Sequence, residues 1–208
     1  MVSKADEKGD GEMDTYVYRL GDALYINLTN RCTNCCDFCI RNTYEGVGEY
    51  NLWLDKEPTV QEVLQQIGDP TRYSEIVFCG FGEPMMRLEE LIEIAREVKK
   101  KGGRVRVNTN GQANLYHGRN VVPLLEGLVD VISISLNAPT AEQYDAICHS
   151  GYGKQAFEGV LQFARECVKV IPTVVLSVVD VLSPEDIERC RAIAEDIGAQ
   201  LKVRQMIK

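Results

Sequence analysis

Cys32-Thr33-Asn34-Cys35-Cys36-Asp37-Phe38-Cys39 follows directly on the apolar run 24–28. The run reads as a strand, and the eight residues set three sulfurs at a C-x3-C-x2-C spacing in the loop that leaves it. That spacing suits a [4Fe-4S] cluster. A cube of four irons held by Cys32, Cys36 and Cys39 leaves one iron without a protein ligand, and a small molecule can bind at that corner.

Two other parsings compete. Read as abutting C-x2-C pairs, Cys32 with Cys35 and Cys36 with Cys39, the loop invites a structural zinc. Four-cysteine zinc sites usually separate their two pairs by a long connection, and the adjacent Cys35 and Cys36 point apart. An electron-carrier cluster needs a fourth cysteine ligand, and its motif typically ends in Cys-Pro. Here the loop offers only Cys35, which could in principle also replace Cys36; the spacing makes it a bystander.

Outward from the loop, the segment 16–29 alternates around Gly21 and Asp22 and reads as a hairpin leading into the strand 24–28. Further strands are predicted at 75–79, 104–108, 131–136, 173–179 and 201–205, each rich in Val, Ile or other apolar residues. Helices are predicted at 59–68, 88–101, 120–127, 140–147, 154–169 and 184–197. Thr59 with Glu62, Thr140 with Gln143 and Ser183 with Asp186 supply start signals, and Gly68, Gly102 and Gly198 supply stops. Strands alternating with helices imply an α/β fold. The expected form is a partial (β/α)6 TIM-like barrel of parallel strands with outer helices, plus a short N-terminal hairpin. The near-continuous apolar strands imply that both sheet faces are covered. Ligands in such sheets sit beyond the carboxyl ends of the strands.

The chain has 208 residues and is 45% hydrophobic, enough for one core domain, 15–208, behind a disordered polar leader, 1–14. Its 23 basic and 31 acidic side chains give a formal net charge of −8, which does not favour a nucleic-acid partner. Without an 18-residue apolar run or a signal-peptide pattern, no membrane is expected and a cytoplasmic location is. Eight cysteines in a reducing compartment suggest a metal for the clustered ones and packing for Cys79, Cys148, Cys167 and Cys190.

A second motif, Gly80-Phe81-Gly82-Glu83-Pro84, follows the strand 75–79 and opens a helical segment about 40 residues after the cysteines. Together the two motifs resemble those of the radical S-adenosylmethionine (radical SAM) enzymes, with Phe81 in place of the usual middle glycine. The resemblance implies two cofactors, a [4Fe-4S] cluster on Cys32, Cys36 and Cys39, and S-adenosyl-L-methionine. The carbonyls of the turn Gly80, Phe81, Gly82, Glu83 and Pro84, with the Glu83 carboxylate, would hold the methionine amino group, and Phe38 would lie against the adenine. Asn108, Asn110, Ser135 and Asn137 resemble cosubstrate-facing positions, although Asn, Thr and Gly at a strand end commonly just form a turn. Relatives often carry an acidic residue where Asn108 and Ser135 fall, so this site is less charged. Val179 and Arg204 match places that contact adenine and the cosubstrate or substrate carboxylate. Arg204 pairing with a buried acid is an equal alternative.

More narrowly, the stretch 16–207 resembles small radical SAM proteins associated with TatD-type nucleases, on strings such as Cys-Ile-Arg-Asn and Ser-Ile-Ser-Leu-Asn-Ala-Pro. The resemblance implies reductive cleavage of the cosubstrate to methionine and a 5'-deoxyadenosyl radical that abstracts hydrogen from an unknown substrate. The implied partners are a low-potential electron donor of ferredoxin or flavodoxin type and a protein, peptide or small-molecule substrate. A glycyl-radical-activating role is one form this could take. The alternative is an iron–sulfur electron-transfer or sensory protein that does not cleave the cosubstrate. The loops 109–119 and 137–153 contain both histidines, His117 and His149, and neither is assigned a catalytic role.

Overall fold

The computed structural model describes residues 14–206. Of the expected leader, 1–13 lie outside the described residues, as do 207 and 208 of the core domain. Asp14 is instead tied down, accepting from the N–H groups of Asp55 and Lys56 at 2.9 and 3.0 Å.

Strand β1 (Val17–Leu20) turns at Gly21, whose φ of 63° suits glycine, into antiparallel β2 (Ala23–Ile26). Two short strands, β3 (Gly46–Val47) and β4 (Tyr50–Asn51), form a separate hairpin before helix α1 (Val60–Ile67). Then follow β5 (Ile76–Phe78), α2 (Leu88–Lys100), β6 (Val105–Thr109), α3 (Ala113–His117) and β7 (Val131–Ser135). Helices α4 (Ala141–Cys148) and α5 (Gln155–Val170), β8 (Thr173–Val179), α6 (Pro184–Ile197) and β9 (Gln200–Arg204) complete the described residues. The main sheet runs β1-β2-β5-β6-β7-β8-β9, and every pairing from β2 to β9 is parallel. This is the hairpin and six parallel strands that the sequence predicts. No helix among the described residues is long and apolar enough to cross a membrane.

Three expectations change. The predicted helix 120–127 is only a 3-10 turn, Val122–Leu125, because Pro123 lies within it and Gly127 adopts a φ of 69° just beyond. The predicted loop 109–119 contains α3, a five-residue helix below the length at which periodicity is legible; Gly118 stops it with a φ of 63°. The sheet is also not apolar on both faces. Ile76, Phe78, Val105, Val107, Ile132 and Ile134 are fully buried in one core cluster with Leu91 and Ile94 of α2 and Phe163 of α5. The alternate positions in register mix Tyr25, Arg106, Asn108, Ser133 and Ser135 with Val77, Val131 and Val175, and line the inner face. Burial of each large outer side chain contributes about 1.5–3 kcal/mol, so the outer face carries most of the hydrophobic stabilisation, and the polar residues lie on the inner face.

The start of α1 illustrates how local sequence supports the sheet. Thr59 Oγ1 accepts from the Glu62 N–H at 3.3 Å while the Glu62 carboxylate accepts from the Thr59 N–H at 2.7 Å, a reciprocal capping box. Thr59→Ala should lower the thermal unfolding midpoint, measured by circular dichroism, by about 2–4 °C.

Candidate metal and cosubstrate centre

From Asn27 to Cys39 the chain has no regular structure, and its shape is set by bonds to distant elements. The N–H groups of Cys35 and Asp37 donate to the carbonyls of Cys148 and Ile147 at the end of α4, both at 3.0 Å. Gly151 N–H donates to Thr33 O at 2.9 Å. Inside the loop Asn34 is buried, donating to Tyr144 Oη at 3.2 Å and accepting from Gln112 Nε2 at 2.8 Å. Arg41 spans the loop's base, donating to Asn30 O and Asn34 O at 3.2 Å.

Cys32, Cys36 and Cys39 are half-buried, and Cys35 is exposed. Burial pushes the Cys32 thiol up to about 11, with the nearby Glu83 adding to the rise and the Asn34 N–H and Arg41 opposing it. Burial likewise raises Cys39. The Cys36 thiol is turned to the buried Cys148, with which it hydrogen-bonds; Asn137 Nδ2 donates to Cys148 Sγ at 3.4 Å. Among the described residues, no three Cys, His, Asp or Glu side chains converge as a preformed metal site.

The turn after β5 lies directly on this loop. A Cβ on Gly82 would strike the Thr29 carbonyl and come within 2.5 Å of Arg31 O, and one on Gly80 would strike the Asn27 side chain. Only glycine allows this approach. The Glu83 N–H donates to Arg31 O at 2.8 Å, joining the two motifs through the backbone. The Glu83 carboxylate accepts from Met85 N at 2.9 Å, Thr109 Oγ1 at 2.8 Å and Asn110 N at 2.6 Å. Its complete burial pushes its pKa up to about 7, against the pull of those three donors. Asn110 continues the link, donating to Thr33 Oγ1 at 2.8 Å and to Cys32 Sγ at 3.8 Å. Pro84 opens the 3-10 turn Pro84–Arg87.

Cys32, Glu83 and Asn110 are thus brought together, whereas the other candidate residues are more dispersed. Phe81 is 4% exposed and packs edge-on to Trp53, 5.1 Å between ring centroids, in a second small core with Tyr18 and Leu52. Phe38 packs against the main core. Asn108 accepts from Arg106 Nη1 at 3.3 Å on the inner face, where half-buried Ser135 and Val179 also lie. Asn137, at a left-handed φ of 59°, faces Cys148. Arg204 donates to Ser133 Oγ at 2.8 Å; among the described residues it does not pair with a buried acid. His149 bonds Asp37 of the cysteine loop at 2.8 Å, and His117 bonds Met85 O at 2.8 Å. Neither Gln112 and Tyr144 nor Cys148's contact with Cys36 had a sequence signal, because the partners lie 78 to 112 positions apart.

The model of the radical SAM superfamily matches residues 26–197, most of the chain. The chain belongs to the radical SAM superfamily. Superfamily members use a [4Fe-4S] cluster and S-adenosylmethionine. It is 26% identical over 162 residues to a tungsten-containing aldehyde ferredoxin oxidoreductase cofactor-modifying protein of Pyrococcus furiosus, covering 75% of this chain and 43% of that one. It is 30% identical over 146 residues to the GTP 3',8-cyclase of Lactiplantibacillus plantarum, covering 68% and 41%. The fold matches SuiB of Streptococcus suis bound to its precursor peptide SuiA with a TM-score of 0.65, at 14% identity, covering 92% of this chain and 40% of that one. The chain spans less than half the length of each of these relatives.

The residues present suit the superfamily's cofactors. Thiols clustered on one loop are the soft donors that an iron–sulfur cluster takes. A carboxylate offers about four acceptor sites, so Glu83, with three donors, keeps room for one more. Asn27 Oδ1, beside Gly80, is buried without a hydrogen-bond partner.

Glu83 carries a pH consequence. Between its ordinary value of 4.5 and about 7 the unfolded chain releases this proton while the folded chain keeps it, so stability falls as pH rises through that window and levels off above it. In urea titrations, wild-type stability should fall more steeply across the window than that of Glu83→Gln, by up to about 1.4 kcal/mol for each pH unit. Parallel curves would mean that the carboxyl ionises normally in the fold.

Proposed function

We propose that Cys32, Cys36 and Cys39 hold the [4Fe-4S] cluster, and that the chain binds S-adenosylmethionine beside it and cleaves it reductively. The observation that carries this reading is the direct joint between the motifs, in which Glu83 reaches Arg31 through its N–H and Cys32 through Asn110. When bound, the cluster supplies one electron to the sulfonium, releasing methionine and a 5'-deoxyadenosyl radical able to remove a hydrogen atom from the substrate.

The chain's own residues prepare that chemistry. The three thiols must lose their protons to bind iron, and Arg41, held over the loop's base, offsets the negative charge that results. Glu83 offers its remaining acceptor capacity to the ammonium of the methionine moiety, and a cation there returns the buried carboxyl to its anionic form. Gly80, Phe81, Gly82 and Pro84 present backbone at close range. Asn108, Asn110, Ser135 and Asn137 supply neutral donors and acceptors for ribose or carboxylate, and Phe38 and Val179 supply apolar surface for the adenine. Tyr18, Leu52 and Phe81 pack into a small core that anchors the turn carrying Phe81. The electron donor is of low-potential ferredoxin or flavodoxin type, and the substrate is a peptide, a protein or a small molecule.

A second reading, an electron-transfer or sensory cluster protein, draws on one observation. The Cys148 thiol touches Cys36, and a fourth cysteine could close the coordination. Single serine variants separate the two. Cys32→Ser, Cys36→Ser and Cys39→Ser should lose iron and sulfide after anaerobic reconstitution, whereas Cys35→Ser and Cys148→Ser keep both. S-adenosylmethionine should change the electron paramagnetic resonance signal of the reduced wild type and of Cys148→Ser, with slow release of 5'-deoxyadenosine. Loss of the cluster in Cys148→Ser, with no cosubstrate effect in the wild type, would establish the rival.

A further inference from the structure

A line of hydrogen-bonded side chains runs from the segment before α5 through α4 to the cysteine loop, and it ends on a sulfur. Ser150 Oγ accepts from the Tyr152 N–H at 3.2 Å and donates to Gln112 Oε1 at 3.1 Å. Gln112 is buried, and its Nε2 donates to Asn34 Oδ1 at 2.8 Å and to Tyr144 Oη at 2.9 Å. Asn34 Nδ2 also donates to Tyr144 Oη, at 3.2 Å. Tyr144, fully buried on α4, hydrogen-bonds the Cys148 thiol one helical turn on, and Asn137 Nδ2 donates to the same sulfur at 3.4 Å. Cys148, fully buried as well, is hydrogen-bonded to Cys36.

This line has a direction. It starts at a backbone N–H, which can only donate. Tyr144 Oη accepts two hydrogen bonds, which fills its lone pairs and leaves its one O–H for Cys148. Cys148 Sγ accepts from Tyr144 and Asn137, so its own S–H remains, and its remaining partner is Cys36. Iron binding requires the Cys36 sulfur as a thiolate, so the hydrogen left between the two sulfurs is then that of Cys148.

The backbone keeps the two cysteines together. The carbonyls of Ile147 and Cys148 accept from Asp37 and Cys35, the residues on either side of Cys36, both at 3.0 Å. Cys148 therefore cannot move off the loop without breaking these bonds. A hydrogen bond to a cysteine ligand stabilises the more negative, reduced state of an iron–sulfur cluster and raises its reduction potential. In buried surroundings such a bond is strengthened.

We propose that Cys148 is a positioning residue that donates its S–H to the Cys36 thiolate, oriented for this by Tyr144 and Asn137, and thereby makes the cluster easier to reduce; this rests on the assignment of Cys36 as a cluster ligand. The thiol acts through Cys36 and is not itself a ligand.

The test is an anaerobic redox titration of the reconstituted protein, followed by the electron paramagnetic resonance signal of the reduced cluster, in the wild type, Cys148→Ala and Cys148→Ser. All three should hold the same iron and sulfide, and circular dichroism should show the same fold. At the wild-type midpoint potential, Cys148→Ala should show a reduced-to-oxidised ratio about tenfold lower, which is 59 mV for one electron. Cys148→Ser, which lacks the sulfur but keeps a donor, should stay within about threefold of the wild type. A ratio in Cys148→Ala within threefold of the wild type overturns the proposal, as does an equal shift in both variants, which a change of packing alone would give. Loss of iron from Cys148→Ala overturns it too, because the thiol would then be a ligand or a prop for the loop. S-adenosylmethionine is added to the same samples. A donor-dependent shift without any cosubstrate effect sinks the radical reading and leaves the role of Cys148 standing; a cosubstrate effect without the shift sinks the role of Cys148 alone.

Discussion

Glu83 is the carboxylate on which the centre is built. It is buried, it accepts three hydrogen bonds from two different loops, and its own N–H reaches the loop that carries the cysteines. A buried carboxyl without partners is costly, so the three donors are what allow it to sit there, and in satisfying it they fix the end of β6 against the turn after β5. The glycines on either side of Phe81 belong to the same constraint, since any side chain at Gly80 or Gly82 would push the turn off the cysteine loop. The place of the cysteines relative to the sheet thus depends on one ionisable group and two missing Cβ atoms.

The two faces of the sheet divide the labour. Outward side chains of β5 to β8 are buried under α2 and α5 and supply most of the hydrophobic stabilisation, while the inward ones mix polar groups with Val77, Val131 and Val175. A polar inner face is tolerable because nearly every group on it has a partner, and the exceptions are informative. Asn27 Oδ1, Arg106 Nε and Arg204 Nε are the buried side-chain atoms without one among the described residues. One lies beside the Gly80 turn and two lie on the inner face of the sheet.

The cysteine loop shows how a segment without regular structure is held. Its backbone N–H groups at Cys35 and Asp37 are taken up by the carbonyls ending α4, orphan acceptors that a helix end must place somewhere. Asn34 at its centre is bonded to Gln112 and Tyr144, and Arg41 closes its base. The loop is therefore fixed from three sides, and the Cys36 side chain is in contact with Cys148.

Local patterning was enough for much of this. The hairpin at Gly21, six parallel strands, the capping box of Thr59 and the two motifs could be read because each rests on neighbours within a few residues, or on alternation, which the chain itself encodes. The five-residue α3, the β3–β4 hairpin and the 3-10 turn at Pro123 could not, since elements that short exist only through the contacts around them. The site divides in the same way. Spacing nominated Cys32, Cys36 and Cys39, and the strand-end turn nominated Glu83. The joint through Asn110, the seat of Phe81 against Trp53, the pairing of Cys36 with Cys148 and the approach of Arg204 to Ser133 and Arg106 unite residues far apart in the chain. Sequence determined which chemistries are present; only the lateral order of the strands, by setting β9 within reach of β7 across β8 and bringing the turn after β5 onto the cysteine loop, decided which of them meet.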